Sequence, residues 1–463
     1  MDANRAALAT AADLPLEDLS TRLSGDIVAP ADPAYADARR VWNGMVNAYP
    51  AAIAYCQSVD DVVATVSFAH DNDVDVSVRS GGHSVSGASV ASGSLVVDCS
   101  RMEWVRIDPD GRTARVGPGV TWGTLDCAAQ SFGLATPGGV YPETGVAGLT
   151  LGGGTGYLSP KHGFAADNLR SIDVVTAAGE RVTADADRNE DLLWAARGGG
   201  TVGVVTAFEF DLHPLDHDVV YFESWLPLDE ATASLRTYRE FQATAPDDAC
   251  VFPYFGSVPT TAEFPPDRHG DDALVLAGVY AGAPENARDA CDPFIAHEAA
   301  FATSFDAMSY LAVQSMMEHD FPDGRRYYWK SVPLATLSDP TVETLREAAE
   351  RAPSTLSTIV LWPMHGAVER VDAETSPVVG RDAVAVANVE AAWDDPLATT
   401  EHVEWVRETC RWLRGEDSVP GTLPNFAGGA EPDAEAVYAD NAARLRTVRE
   451  RYDPGTIFTH ERV

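Results

Sequence analysis

Three glycine-rich clusters crowd the first half of the chain: "RSGGHSVSG" at 79–87, "PGGVYPETGVAGLTLGGGTGYL" at 137–158 and "RGGGTVGVVT" at 197–206. Glycine gives up more conformational freedom on folding than any other residue, so three such clusters are costly unless backbone must pass close to a ligand. Loops of this kind also point N–H groups at anions. His83 stands inside the first cluster, either as a polar loop residue or as a working group. For any one cluster a plain turn is the alternative; three together favour a ligand.

The commonest uses of such loops do not fit. No G-x-G-x-x-G opens a helix after a strand and no G-x-x-x-x-G-K-[ST] occurs, so neither a Rossmann-type dinucleotide fold nor a P-loop is supported. A serine-hydrolase elbow needs G-x-S-x-G, and "GHSVS" puts Ser86 where the last glycine belongs, which weakens that reading.

At 463 residues the chain exceeds the size at which single cores stop growing, so two or three lobes are expected. From about 43 to 215, short β-branched strands alternate with helical segments and glycine turns, an α+β pattern. From 216 to 424, alternating strands such as "ALVLAGVYAG" and "DAVAVANVEAAW" are interleaved with helices rich in Glu, Ala and Arg. An antiparallel sheet covered by helices is the expected outcome. The segment 425–463 carries one amphipathic helix.

The formal charge is -37, with 70 acidic against 33 basic residues, and Lys161 and Lys330 are the only lysines. Such a surface repels nucleic acid and anionic membranes, so neither is an expected partner. Lysine depletion with intact fold patterning points to adaptation to high salt, where screening suppresses self-repulsion. Six scattered cysteines without CxxC or metal-ligand spacing read as buried thiols in a reducing compartment, and no metal site is expected. No apolar stretch reaches membrane-spanning length and the N-terminus lacks a leader pattern, so a cytoplasmic protein is expected. Oligomeric state is not legible.

Beyond these physical readings, "VRSGGHSVSG", "VVDCSRM", "TGVAGLTLGGGTGYLSPKHGFAADNL", "SIDVVTAAGE", "NEDLLWAARGGG" and "GVVTAFEF" follow one another in an order that closely resembles the berberine-bridge-enzyme-like FAD-linked oxidases, part of the vanillyl-alcohol-oxidase group with a PCMH-type FAD-binding domain. The resemblance spans about 50–215 and returns at "YYWKS" (327–331) and at 425–458. It implies a two-lobed FAD-binding domain over 1–215, completed by 425–463, and a substrate domain over 216–424. It implies FAD held by Arg79, Ser80, Gly81, Gly82, His83 and Ser84 from the first cluster, by Pro137, Gly138, Thr144, Gly145, Gly148, Gly152 and Gly156 from the second, and by Val205 and Asn425. His83 occupies the place of the histidine that bonds to the flavin 8α-methyl, a link that fixes the ring and raises its potential. Tyr141 stands where many members carry a second, cysteine tether, so a single covalent link is expected, with Tyr141 facing the ring or simply packing. Val146 lies where members gate oxygen.

The resemblance thins elsewhere. Thr201 and Val202 replace an amide and an aromatic, and Leu423 replaces a tyrosine two residues before Asn425. Candidates for the base are therefore Tyr328 with Lys330, His365 and Glu390. A tyrosine beside a cation has a lowered pKa, and residues two apart on a strand share a face. The implied activity is an oxidase taking hydride from a C–H bond beside a hydroxyl, in a sugar or secondary alcohol, or beside an amine, with O₂ reduced to H₂O₂. The rivals are a dehydrogenase serving a quinone or carrier and a catalytically idle FAD-binding protein.

Overall fold

Apolar, β-branched runs become strands buried on both faces. Val76–Arg79 (β1) and Leu95–Asp98 (β2) run parallel in the computed structural model, which describes residues 10–11, 13–415, 417–429 and 434–459. Ala52–Tyr55 lies parallel on the other side of β2, and Ile27–Val28 completes the four-stranded sheet. Strands 52–55 and β1 flank β2 in parallel, and the connection between them carries helix Val59–Asp71. Its first turn is closed by Ser58, whose hydroxyl accepts from the Asp61 N–H at 3.2 Å.

A second sheet is antiparallel throughout, in the order 105–108, 113–116, 204–211, 169–175, 181–184. The second glycine cluster is mostly loop, interrupted by the short helix Val146–Leu151 (α1).

The third large unit is an eight-stranded antiparallel sheet. Tyr254–Ser257 (β3) sits inside it; after the short helix Tyr310–Gln314 (α2) come Arg326–Leu334 (β4), Thr358–Pro363 (β5) and Ala385–Trp393 (β6). Strand β6 lies between β5 and β4 and all nine of its residues are buried. Its odd-numbered members, Ala385 to Trp393, pack against a helical layer that includes Thr399–Leu413 (α3). Its even-numbered members, with Asn388 and Glu390 among them, turn to the opposite face. The mixture of helix and sheet is the α+β class that the patterning predicts.

The chain end returns to its first half. Helix Ala442–Tyr452 (α4) inserts Leu445, Val448 and Tyr452 into the core of the five-stranded sheet beside Trp194. Residues 457–459 run along β1, with Val76 N–H donating to Ile457 O at 2.6 Å and Thr459 N–H to Val76 O at 2.7 Å. No helix among the described residues is long and apolar enough to cross a membrane.

Candidate active site

A cavity of about 830 Å³ runs from the glycine clusters to the face of the large sheet turned away from α3. That is toward the upper end of the roughly 300–1,000 Å³ usual for ligand sites, room for an elongated molecule. One wall is the loop that follows β1. Its anchor is Arg79, buried and ion-paired with Asp98 at the end of β2, with Nη1 donating to Ala38 O at 2.6 Å. Ser80, Gly81, Gly82, His83 and Ser84 then line the cavity. Among the described residues, the N–H groups of Gly81, Gly82 and His83 donate to no protein acceptor. Donors left over along a cavity wall need an outside acceptor.

The adjoining wall is Thr144, Gly145, Ala147, Gly148 and Gly152. The two walls meet back to back. A Cβ on Gly81 would sit 2.7 Å from Gly145 N, and one on Gly145 would sit 2.7 Å from Gly81 N. Only backbone without side chains closes this seam. Asn425 fastens the far side, accepting from Gly154 N–H at 2.8 Å and donating to Leu149 O at 3.1 Å. Thr201 and Val205 also line the cavity, whereas Val202 is buried beside it in the core.

His83 stacks on Trp42 with ring centroids 5.5 Å apart and planes 12° from parallel. Trp42 in turn stacks on Tyr327 at 4.0 Å. Burial lowers the His83 imidazole to about 4, with Asp323 pulling the other way, so the ring is neutral and nucleophilic at pH 7. Ligand atoms of His83, Glu143 and Asp323 lie within 4.8 Å of one another, and both carboxylates are exposed.

Deeper in, the cavity is walled by Phe252, Tyr254, Trp329, Trp362 and Phe426, with Glu390 among them. Glu390 Oε1 accepts from Asn388 Nδ2 at 2.5 Å and Oε2 from the Thr358 hydroxyl at 3.1 Å. Burial, opposed by these two hydrogen bonds, pushes its carboxyl up to about 7. A carboxyl poised at working pH, inside a cavity, is suited to proton transfer.

The other candidate bases fall outside the cavity lining. Tyr328 and Lys330 do share a face of β4, but it is the face packed on α3. The Tyr328 hydroxyl accepts from Arg407 Nε at 3.0 Å, and burial raises rather than lowers its pKa. Burial lowers Lys330 to about 8, against the α3 residue Cys410 and not against a ligand space. The intervening Trp329 is the residue that reaches the cavity. His365 is buried and bonded through Nε2 to Ala249 O at 3.1 Å. Tyr141 does line the cavity, its hydroxyl donating to Glu143 at 3.3 Å, and burial pushes it up to about 12, too high for a base. Arg79, Pro137, Gly138, Val146 and Gly156 also lie outside the lining. Gly138 and Gly156 serve packing instead, since a Cβ on Gly156 would collide with Gly138 O. Sequence reasoning missed Trp42 and the aromatic wall; of its base candidates, Glu390 is the one that lines the cavity beside them.

Comparison with known proteins agrees with this geometry. A family model described as an FAD binding domain matches residues 50–185. The (R)-6-hydroxynicotine oxidase of Paenarthrobacter nicotinovorans is 39% identical over 223 residues, 47% of this chain and 49% of that protein. The crystal structure of 6-hydroxy-D-nicotine oxidase from Arthrobacter nicotinovorans superposes with a TM-score of 0.83 at 27% identity, covering 95% of this chain and 98% of that one. Berberine bridge enzyme from Eschscholzia californica shares the fold, with a TM-score of 0.83 at 21% identity over 96% and 98% of the two chains.

The glycine-walled cavity, with its spare N–H donors and side-chain-free seam, fits an extended anionic cofactor, and the matched domain makes that cofactor FAD. Along nearly its whole length the chain is similar to FAD-linked oxidoreductases, among them one of Bacillus subtilis that is 27% identical over 95% of this chain and 97% of that protein.

Proposed function

We propose that the chain is an FAD-dependent oxidase of amines, with Glu390 as the acid–base group and His83 as the single covalent anchor of the cofactor. When bound, FAD supplies a two-electron acceptor for the substrate C–H bond and passes the electrons to O₂, giving H₂O₂. The observation that carries the reading is Glu390: a buried carboxyl poised near neutrality on the cavity wall. It takes the proton from the substrate nitrogen or oxygen as the neighbouring C–H bond breaks. His83, neutral and stacked on Trp42, presents a ring nitrogen in a fixed direction.

An amine is favoured over the sugar or secondary alcohol placed first by the sequence. The inner wall is aromatic, Asp320 lines the cavity with Glu390, and Glu143 and Asp323 flank His83. Aromatic faces and carboxylates attract cations. Arg449 is the only lysine or arginine among the described residues of the wall. The name of the 39%-identical relative agrees with an amine. A sugar ring stacked on the same aromatic faces is the second reading. The division at 1–215, 216–424 and 425–463 belongs to this reading, with FAD between the first glycine walls and the substrate under the large sheet. Adaptation to high salt and a cytoplasmic location are kept as parts of the same proposal, supported by the charge balance.

The test is anaerobic mixing of the yellow protein with a panel of secondary and tertiary amines, secondary alcohols and oligosaccharides, followed by air. Bleaching by amines and stoichiometric H₂O₂ on reoxidation are expected. Bleaching by sugars alone would replace the amine reading, and bleaching without H₂O₂ would make the protein a dehydrogenase.

A further inference from the structure

Strand β6 reads "AVANVEAAW", and its only polar side chains, Asn388 and Glu390, are two residues apart on the face turned to the cavity. Neither is tolerated there without compensation, because a buried carboxylate and a buried amide each need partners. They find one another, with Asn388 Nδ2 donating to Glu390 Oε1 at 2.5 Å. Asn388 is fully buried and its Oδ1 has no partner. The amide is therefore spent on one task, giving its N–H to the carboxylate. Thr358 lies directly opposite Glu390 in the β5–β6 register and donates to the other oxygen at 3.1 Å.

Among the described residues, none in register with Glu390 is a cation. From β4 the residue in register is Trp329; from β5 come Thr358 and Val360; from β3 comes Tyr254, which burial keeps protonated. Lys330 lies on the reverse face of β4, where it adjoins α3. Across the cavity the charged residues are Asp320 and Arg449. Burial and these two hydrogen bonds are what act on its ionisation.

Building on the proposed role of Glu390, we propose that Asn388 and Thr358 form a two-donor clamp that holds this carboxylate ionised and aimed into the cavity, making both of them positioning residues. One donor on each oxygen leaves the remaining lone pairs to receive the substrate proton, and fixes the carboxylate plane. Removing either donor disfavours the ionised form.

The experiment is an infrared pH titration of the flavin-loaded protein, reading the protonated-carboxyl band that Glu390→Gln removes. In the parent its midpoint is expected near 7. Asn388→Leu and Thr358→Val are each expected to raise the midpoint by about one unit or more, the size expected when a carboxylate loses a donor. Thr358→Ser keeps the hydroxyl and restores the parent midpoint. The same shifts should appear in the acid limb of kcat/KM for the amine that bleaches best, with KM little changed. A parent-like midpoint in a folded Asn388→Leu or Thr358→Val protein that retains its flavin overturns the clamp. If Asn388→Leu does not fold, the Thr358 pair alone decides. Shifted midpoints in a protein that no amine or alcohol bleaches would uphold the clamp and overturn the oxidase reading.

Discussion

Gly148 and Gly81 both border the cavity, yet alanine should act on them in opposite ways. A Cβ on Gly148 meets nothing within 4 Å, because it projects into the cavity from α1. In the apoprotein, Gly148→Ala therefore costs no packing and gains helix propensity of about 0.5–1 kcal/mol. Its thermal midpoint should hold or rise by about 1–2 °C. With FAD present the methyl occupies cofactor space, and overpacking of about 1–3 kcal/mol weakens binding by about 5- to 150-fold. At Gly81 the added Cβ meets backbone at 2.7 Å where ordinary contact begins at 3.4 Å, so the seam must open by about 0.7 Å. Neither Gly81 nor Gly145 has a side chain that can give way, so Gly81→Ala should lower apoprotein stability by about 1–3 kcal/mol and FAD affinity with it. Both are made in a His83→Ala background, where binding is reversible on the proposed chemistry. Apoprotein melting and titration by flavin fluorescence read the two quantities. A Gly148→Ala protein with the affinity of its background would refute the placement of FAD against α1.

His83→Ala should release all yellow colour into the supernatant on acid precipitation, whereas the parent keeps it in the pellet; colour retained by the variant would assign the link elsewhere. Glu390→Gln should lower kcat/KM for the best amine by about 10²–10⁴-fold, the usual worth of a general acid–base group, and remove its acid limb while leaving flavin retention intact. Asp126 is fully buried on Gln314 Nε2 at 2.9 Å, and burial raises its carboxyl from 3.8 to about 7. The folded state then holds a proton that the unfolded chain has lost, so this group makes stability fall as pH rises from about 4 to about 7. Asp126→Asn should flatten that part of the curve of denaturation midpoint against pH. His162 and His213 stack at 3.7 Å, and burial chiefly lowers His162 to about 3. Here the unfolded chain binds the extra proton, so stability is lost as pH falls from about 6.5 toward 3; His162→Phe should make acid melts less steep, and an unchanged slope would count against the buried neutral pair.

What the sequence disclosed and what it hid follow from how far each feature reaches along the chain. Glycine density is local, and it located two walls of the cavity, although it also drew in Gly138 and Gly156, which serve close packing of backbone on backbone. The face of a strand is not local. "YYWKS" carries bulky or polar residues at every position, so its alternation has no sign, and only the α3 layer decides that Tyr328 and Lys330 turn inward to helix while Trp329 meets the cavity. Trp42 carries no signal in the sequence, since its partners His83 and Tyr327 come from distant parts of the chain. Strand β6 does carry one. Two polar residues at a spacing of two, in an otherwise apolar strand, bring a desolvation cost that nothing in the strand's apolar residues repays. Cost of that kind points to use: weighed above the family's customary position for a base, "ANVEA" singles out Glu390 and Asn388 together, as a carboxylate and the amide placed to hold it.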